Sequence, residues 1–127
     1  LSIQEQIETL RAELKRRTGC AERDIQVVYS PLRISPLGAH IDHQDGLVTG
    51  MTLDRVVLLA FVPRHDRRIR VESANFPGTI EFDMDNVPPK VPGDWGNYVR
   101  GAVLALQQAH DLRVGMDALV EGRMPIG

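Results

Sequence analysis

Residues 56–62 read VVLLAFV, an unbroken apolar run with two β-branched residues at its start. At seven residues it is too short for a buried helix, and it has no polar face to turn toward water. It therefore predicts a strand covered on both sides, which must lie inside a sheet rather than at its margin. A central strand needs partners, and the chain supplies them. Residues 25–29 (IQVVY) predict a β-branched strand that runs into Pro31, and residues 47–53 are a candidate for a short one. IRVES at 69–73 and TIEFDM at 79–84 alternate with period two, so each covers one sheet face. Phe76, Pro77 and Gly78 between them predict a hairpin with a longer loop. MDALVEG at 116–122 returns as a last strand and leads into Met124, Pro125, Ile126 and Gly127.

Two helices accompany the strands. Ser2 and Glu5 form an S-x-x-E pair, in which each side chain satisfies a backbone amide that the first helical turn leaves free. Ile3, Ile7, Leu10 and Leu14 then recur on one helical face, and Gly19 after the basic pair Arg16 and Arg17 marks the end. A second helix is expected from about Asp94 to about His110, with Tyr98, Val99, Ala102, Val103 and Leu106 as its apolar side. The connection before it, NVPPKVPGD at 86–94, is proline-rich. The order α-β-β-β-β-β-α-β, with several antiparallel neighbours, predicts an α+β fold: a mixed sheet with packed helices. At 127 residues the chain is one domain, large enough to bury roughly two-thirds of its unfolded surface.

Charge and cysteine usage narrow the function classes. A net charge of −2 and a pI near 6.1 do not suit a nucleic-acid binder, which carries a basic excess or stripe. The densest basic cluster, RHDRRIR at 64–70, is interrupted by Asp66 and reads as a solvated turn. The longest apolar run is far shorter than a membrane span, and no secretory leader pattern opens the chain. The lone Cys20 excludes an internal disulfide and, without a CxxC, a zinc ribbon, which favours a cytoplasmic compartment.

The stretch RISPLGAHIDHQDG at 33–46 holds two histidines, two aspartates and an arginine among turn-formers. His40, Asp42 and His43 are residue types that bind divalent metals, but a turn imposes no coordinating geometry and no third element of a site is evident. The plain alternative is a polar turn whose Asp42 and Asp45 accept backbone amides. A second group, WGNYVRG at 95–101, places the only tryptophan at a helix start. Trp95 either anchors its loop to the core or offers a plane to a base. Proline and glycine after the last strand are compatible with the opening of a phosphate-cradling loop.

Taken together, these segments resemble a known family. SPLRISPLGAHIDHQDGLV at 30–48 is similar to the galactokinase signature of the GHMP kinase superfamily, roughly P-x-R-x-x-L-x-G-E-H-x-D-Y-x-x-G. WGNYVRG resembles its W-x-N-Y-V-[KR]-G segment, and EGRMPIG at 121–127 resembles the approach to its ATP loop. Three departures stand out: Ala39 in place of glutamate, His43 in place of tyrosine, and Gln44 in place of asparagine. The block PLGAHIDHQ is instead similar to the galacturonate kinases of the same family.

The resemblance implies an N-terminal part of a GHMP kinase substrate- and ATP-binding domain, spanning 1–127 and cut before the glycine-serine phosphate loop. It implies a sugar 1-kinase acting on galacturonate, with galactose as the alternative substrate and a non-catalytic sugar sensor as a further one. A complete binding module of 127 residues is a third reading, disfavoured because its final strand is expected to leave an exposed edge. By resemblance, Arg33 sits near the C1 hydroxyl and transferring phosphate, Asp42 accepts from ring hydroxyls, and His40 lies near C6. Ala39 and His43 complete that end of the sugar pocket. Trp95 and Tyr98 belong to the adenine site, and Pro125, Ile126 and Gly127 enter the phosphate loop. ATP and Mg2+ are implied, with no metal ligand inside this chain. The 127 residues alone are expected to be inactive.

Overall fold

The expected capping box forms at the N-terminus: Ser2 N donates to Glu5 Oε2 at 2.7 Å and Glu5 N donates to Ser2 Oγ at 3.2 Å. In this computed structural model, which describes residues 1–123, helix α1 runs Ile3–Thr18. It closes on Gly19, whose φ of 70° lets its N–H reach Lys15 O at 2.8 Å. The strands are β1 Gln26–Ile34, β2 Met51–Arg64, β3 Arg68–Ser73, β4 Thr79–Asp83 and β5 Gly115–Gly122, with helix α2 Gly96–Ala109 before the last. Single 3-10 turns occupy Glu22–Asp24 and Asp42–Gln44.

The apolar run at 56–62 is the middle of one 14-residue strand, not the second of two. Asp54 and Arg55, expected to separate strands, continue β2 and pair with each other at 3.1 Å on its exposed part. Polar side chains do not interrupt a backbone ladder while the partner strand continues. β1 does continue: it passes Pro31 and keeps pairing to Ile34↔Met51, with an irregularity between Pro31 and Arg33. Proline, which has no N–H to give, is tolerated there because β1 is an edge strand.

The sheet order is β1-β2-β5-β3-β4. β5 is antiparallel to β2 and parallel to β3, so the last strand is inserted into the centre of the sheet. The expected exposed edge at the final strand is therefore wrong: the edges are β1 and β4. β3 and β4 pair antiparallel, as their alternation predicts.

Successive residues of β2 and β5 face opposite ways, and each face receives one helix. Leu10 and Leu14 of α1 pack with Ile25, Val56, Leu58, Ala60 and Leu119. On the other face, Val103 of α2 packs with Ile69, Val71, Ile80, Phe82, Met84 and Ala118. The inner stripe of α2 is narrower than expected: Val103 is buried and Val99 half-buried, but Tyr98, Ala102 and Leu106 are exposed.

The basic cluster at 64–70 is more than a solvated turn, because each of its arginines meets a carboxylate. Arg64 binds Asp66 at 2.5 Å and Asp117 at 2.9 Å, Arg67 binds Asp85 at 2.7 Å, Arg68 binds Glu81 at 2.7 Å, and Arg70 binds Glu72. No helix among the described residues is long and apolar enough to cross a membrane.

Candidate functional site

The loop between β1 and β2 is closed between Leu37 and Thr49, through the backbone and the Thr49 hydroxyl. Leu37 N donates to Thr49 Oγ1 at 3.1 Å, and Thr49 N returns a bond to Leu37 O at 3.0 Å. Gly38 makes the closure possible. Its φ is 80°, and a Cβ there would lie 2.3 Å from Leu47 O, so only glycine fits this close approach. Within the closed loop, Gly46 N donates to Ile41 O at 3.0 Å and Asp45 N to Asp42 O at 3.2 Å, around the Asp42–Gln44 turn. These turn amides go to carbonyl oxygens rather than to the Asp42 or Asp45 carboxylates, unlike the polar-turn expectation.

The side chains left over are the ionisable ones. Arg33, Ala39, His40, Asp42 and His43 are all exposed. Arg33 leaves β1 opposite Thr52, and its Nη1 donates to Ser35 Oγ at 2.7 Å. The His43 imidazole accepts from Gln44 Nε2 through its own Nε2 at 3.2 Å. The strand and loop thus bring five sequence-predicted residues onto one short segment. Among the described residues, no three His, Cys, Asp or Glu side chains converge as a metal site.

The second group is built differently. Trp95 stands at the N-cap of α2, half-buried against the β3–β4 core. Its Nε1 donates to Pro77 O at 3.2 Å, and its ring stacks on Phe76 with centroids 6.3 Å apart and planes 23° apart. Asn97 accepts from Val91 N at 2.9 Å and donates to Val91 O at 2.5 Å, clamping the proline-rich connection. Arg100 reaches Asn97 Oδ1 at 3.0 Å and Asp94 Oδ2 at 2.7 Å. The Asp94 carboxyl titrates below its usual range, first because Gly96 N donates to it and then because of Arg100. Tyr98, at 84% exposure, projects from the first turn. Phe76 is a partner of Trp95 that sequence reasoning did not single out; its signal was an aromatic directly before the proline and glycine of the turn. Pro125, Ile126 and Gly127 lie outside the described residues.

An α+β unit of this order recurs in solved kinases. It superposes 80% of the chain on 33% of Methanococcus jannaschii mevalonate kinase, with a TM-score of 0.59 at 11% identity. The likeness to a putative sugar kinase of Campylobacter jejuni has a TM-score of 0.57 at 13% identity, over 80% of this chain and 34% of that one. Those two matches show a shared fold. Lactococcus lactis galactokinase, solved in complex with galactose, matches 94% of the chain with a TM-score of 0.85 at 30% identity, over 31% of its own length. In sequence, the chain is 34% identical to a galacturonokinase of Arabidopsis thaliana over 134 aligned positions, 92% of this chain and 32% of that protein. It is also 34% identical to the galactokinase of Chloroflexus aggregans over 123 positions, 96% of this chain and 31% of that protein. No family model matches the chain. The chain therefore has homologues named galacturonokinase and galactokinase, and it spans about a third of the length of these relatives.

Proposed function

We propose that this chain is the N-terminal part of the substrate- and ATP-binding domain of a sugar 1-kinase, and that the sugar is galacturonate. The single observation that carries the substrate reading is Ala39, small and exposed between Gly38 and His40. A glutamate at this position suits a C6 hydroxyl, because an ionised carboxylate only accepts and the hydroxyl donates. Against a C6 carboxylate, that glutamate would place two negative charges together. At an effective dielectric near 20 the repulsion is about 4 kcal/mol at 4 Å. Alanine removes it, and His40 and His43 stand in the same loop as donors for an acid sugar. The similarity to the Arabidopsis galacturonokinase supports this reading. The equal identity to the Chloroflexus galactokinase supports the second one, galactose as substrate.

Phosphoryl transfer depends on positioning and charge stabilisation rather than on covalent help. In this reading Arg33 presents a planar fork to the anomeric oxygen and the transferring phosphate. Asp42, whose carboxylate takes none of the loop amides, receives ring hydroxyls. The closure through Leu37, Gly38 and Thr49 holds the segment that carries Asp42, while pairing of β1 with β2 holds Arg33. The half-exposed Trp95 ring and the exposed Tyr98 offer an aromatic surface of the kind that holds adenine. MgATP supplies the transferred group; no residue described here is assigned to the metal.

The test is a comparison of kcat/KM for galacturonate and galactose in the complete protein, repeated with Ala39→Glu. The expected result is a preference for galacturonate that the glutamate variant reverses. A preference for galactose in the unaltered protein, or a ratio that Ala39→Glu leaves unmoved, defeats the galacturonate reading.

A further inference from the structure

The turn between β3 and β4 touches two parts of the molecule at once. On one side it continues the parallel ladder past the end of β3, where Ala74 N donates to Val120 O at 2.9 Å. The Asn75 side chain then takes over from the backbone. Its Nδ2 donates to Gly122 O at 2.6 Å and its Oδ1 accepts from Gly122 N at 2.8 Å. Both polar groups of the last β5 residue are thereby satisfied by one amide, which acts as an extra strand position. On its other side the same turn holds Trp95, through the stack on Phe76 and the bond to Pro77 O. Ser73 Oγ stiffens the turn by accepting from Asn75 N at 3.1 Å and Phe76 N at 3.2 Å. Three consecutive residues, Asn75, Phe76 and Pro77, thus tie the exit of β5 to the tryptophan.

We infer that Asn75 is a positioning residue for nucleotide: its amide sets the backbone at Gly122, where the chain leaves β5, relative to the Trp95 ring. This rests on the reading of Trp95 as a nucleotide contact. Among the described residues, Asn75 bonds only to Ser73 and Gly122, and the bonds of the β1–β2 loop are local to it. Its loss should therefore separate the two substrates. Asn75→Asp keeps the volume and the acceptor but sets an anion against Gly122 O; Asn75→Ala removes both bonds.

In the complete protein, each variant should raise the KM for ATP about five- to thirtyfold, Asn75→Ala by losing both hydrogen bonds and Asn75→Asp by losing one and setting an anion against Gly122 O, and leave the sugar KM within about twofold. Incorporation of 5-fluorotryptophan supplies an independent readout. The fluorine resonance of Trp95, assigned by its disappearance in Trp95→Phe, should shift in both variants. A purely structural role would lower Tm without splitting the two KM values. If Trp95→Ala raises the KM for ATP while both Asn75 variants leave it unchanged, the positioning inference falls and the nucleotide reading stands. Should Trp95→Ala itself leave that KM unchanged, the nucleotide reading falls and takes the inference with it. Asn75→Asp, being isosteric, keeps the test decisive if the alanine variant does not fold.

Discussion

The loop between β1 and β2 and the turns around Trp95 are both rich in polar groups, yet they use them in opposite ways. In the first, backbone bonds and Gly38 close the loop, and the charged side chains are left exposed. In the second, side chains hold one another and the backbone: Asn97 on Val91, Arg100 on Asp94, Asn75 on Gly122. A loop shaped by its backbone keeps its side chains available to a ligand. A region shaped by its side chains is a frame, and its residues act through geometry. Substitutions in the first should alter chemistry, whereas those in the second should alter position and stability.

The largest effect expected from that contrast is at Arg33. Arg33→Lys keeps the charge but loses the planar fork that can contact two oxygens. Among the described residues its guanidinium bonds only to Ser35 Oγ, so the fold should be indifferent to the change. If Arg33 acts on the transferring phosphate, kcat in the complete protein should drop roughly a hundredfold or more, as when a preorganised transition-state donor is removed. The sugar KM should move far less. Unchanged kcat with a raised KM would place Arg33 with sugar binding alone and blur the distinction between the regions.

Gly38 probes the backbone side of the contrast. Gly38→Ala puts a methyl where Leu47 O stands and strains a φ of 80°. The expected loss is about 1–3 kcal/mol of stability, read as a lowered Tm or urea midpoint. Because this glycine closes the loop that carries Asp42 and His40, the sugar KM should rise while the KM for ATP holds. A variant with wild-type stability and sugar KM would mean that the closure does not shape the pocket.

How much of this was legible in advance follows the range of the forces. The capping box, the alternating strands at 69–73 and 79–84, and the central character of 56–62 are local patterns, and each formed. The insertion of β5 between β2 and β3 was not legible, because strand order is decided by pairings between distant residues. Asp54 and Arg55 misled for a similar reason: as a polar pair they suggest a break, but the edge strand beside them carries the ladder through. The outer face of α2 was over-read, since Tyr98 and Leu106 satisfy a helical period without facing the sheet. The loop between β1 and β2 was visible as a motif dense in ionisable residues. Asn75 was not, because its partner Gly122 is 47 positions away.

The smallest effect belongs to Glu13 on the surface of α1, whose network reaches the sheet only through Arg17, which also binds Glu72. Glu13 receives Arg16 at 2.6 Å and Arg17 at 2.7 Å on exposed helical turns. Hydrogen bonds from Arg16 and then Arg17 lower its pKa from 4.5 to about 2. A carboxylate whose folded pKa is depressed stabilises the fold above its unfolded pKa, and that contribution is lost as pH falls through the folded value. The window is therefore from about pH 4.5 down to about 2, with no contribution to pH dependence near neutrality. Solvent screens such pairs, so the magnitude should stay near the 0.3–0.5 kcal/mol of exposed helical ion pairs, well below what the pKa alone suggests. Urea midpoints for wild type and Glu13→Gln, followed from pH 6 to pH 3, test this directly. The difference should shrink as the medium becomes acidic. A loss comparable with that of Gly38→Ala would show that this exposed network is a frame after all, and that bonded side chains alone do not mark one.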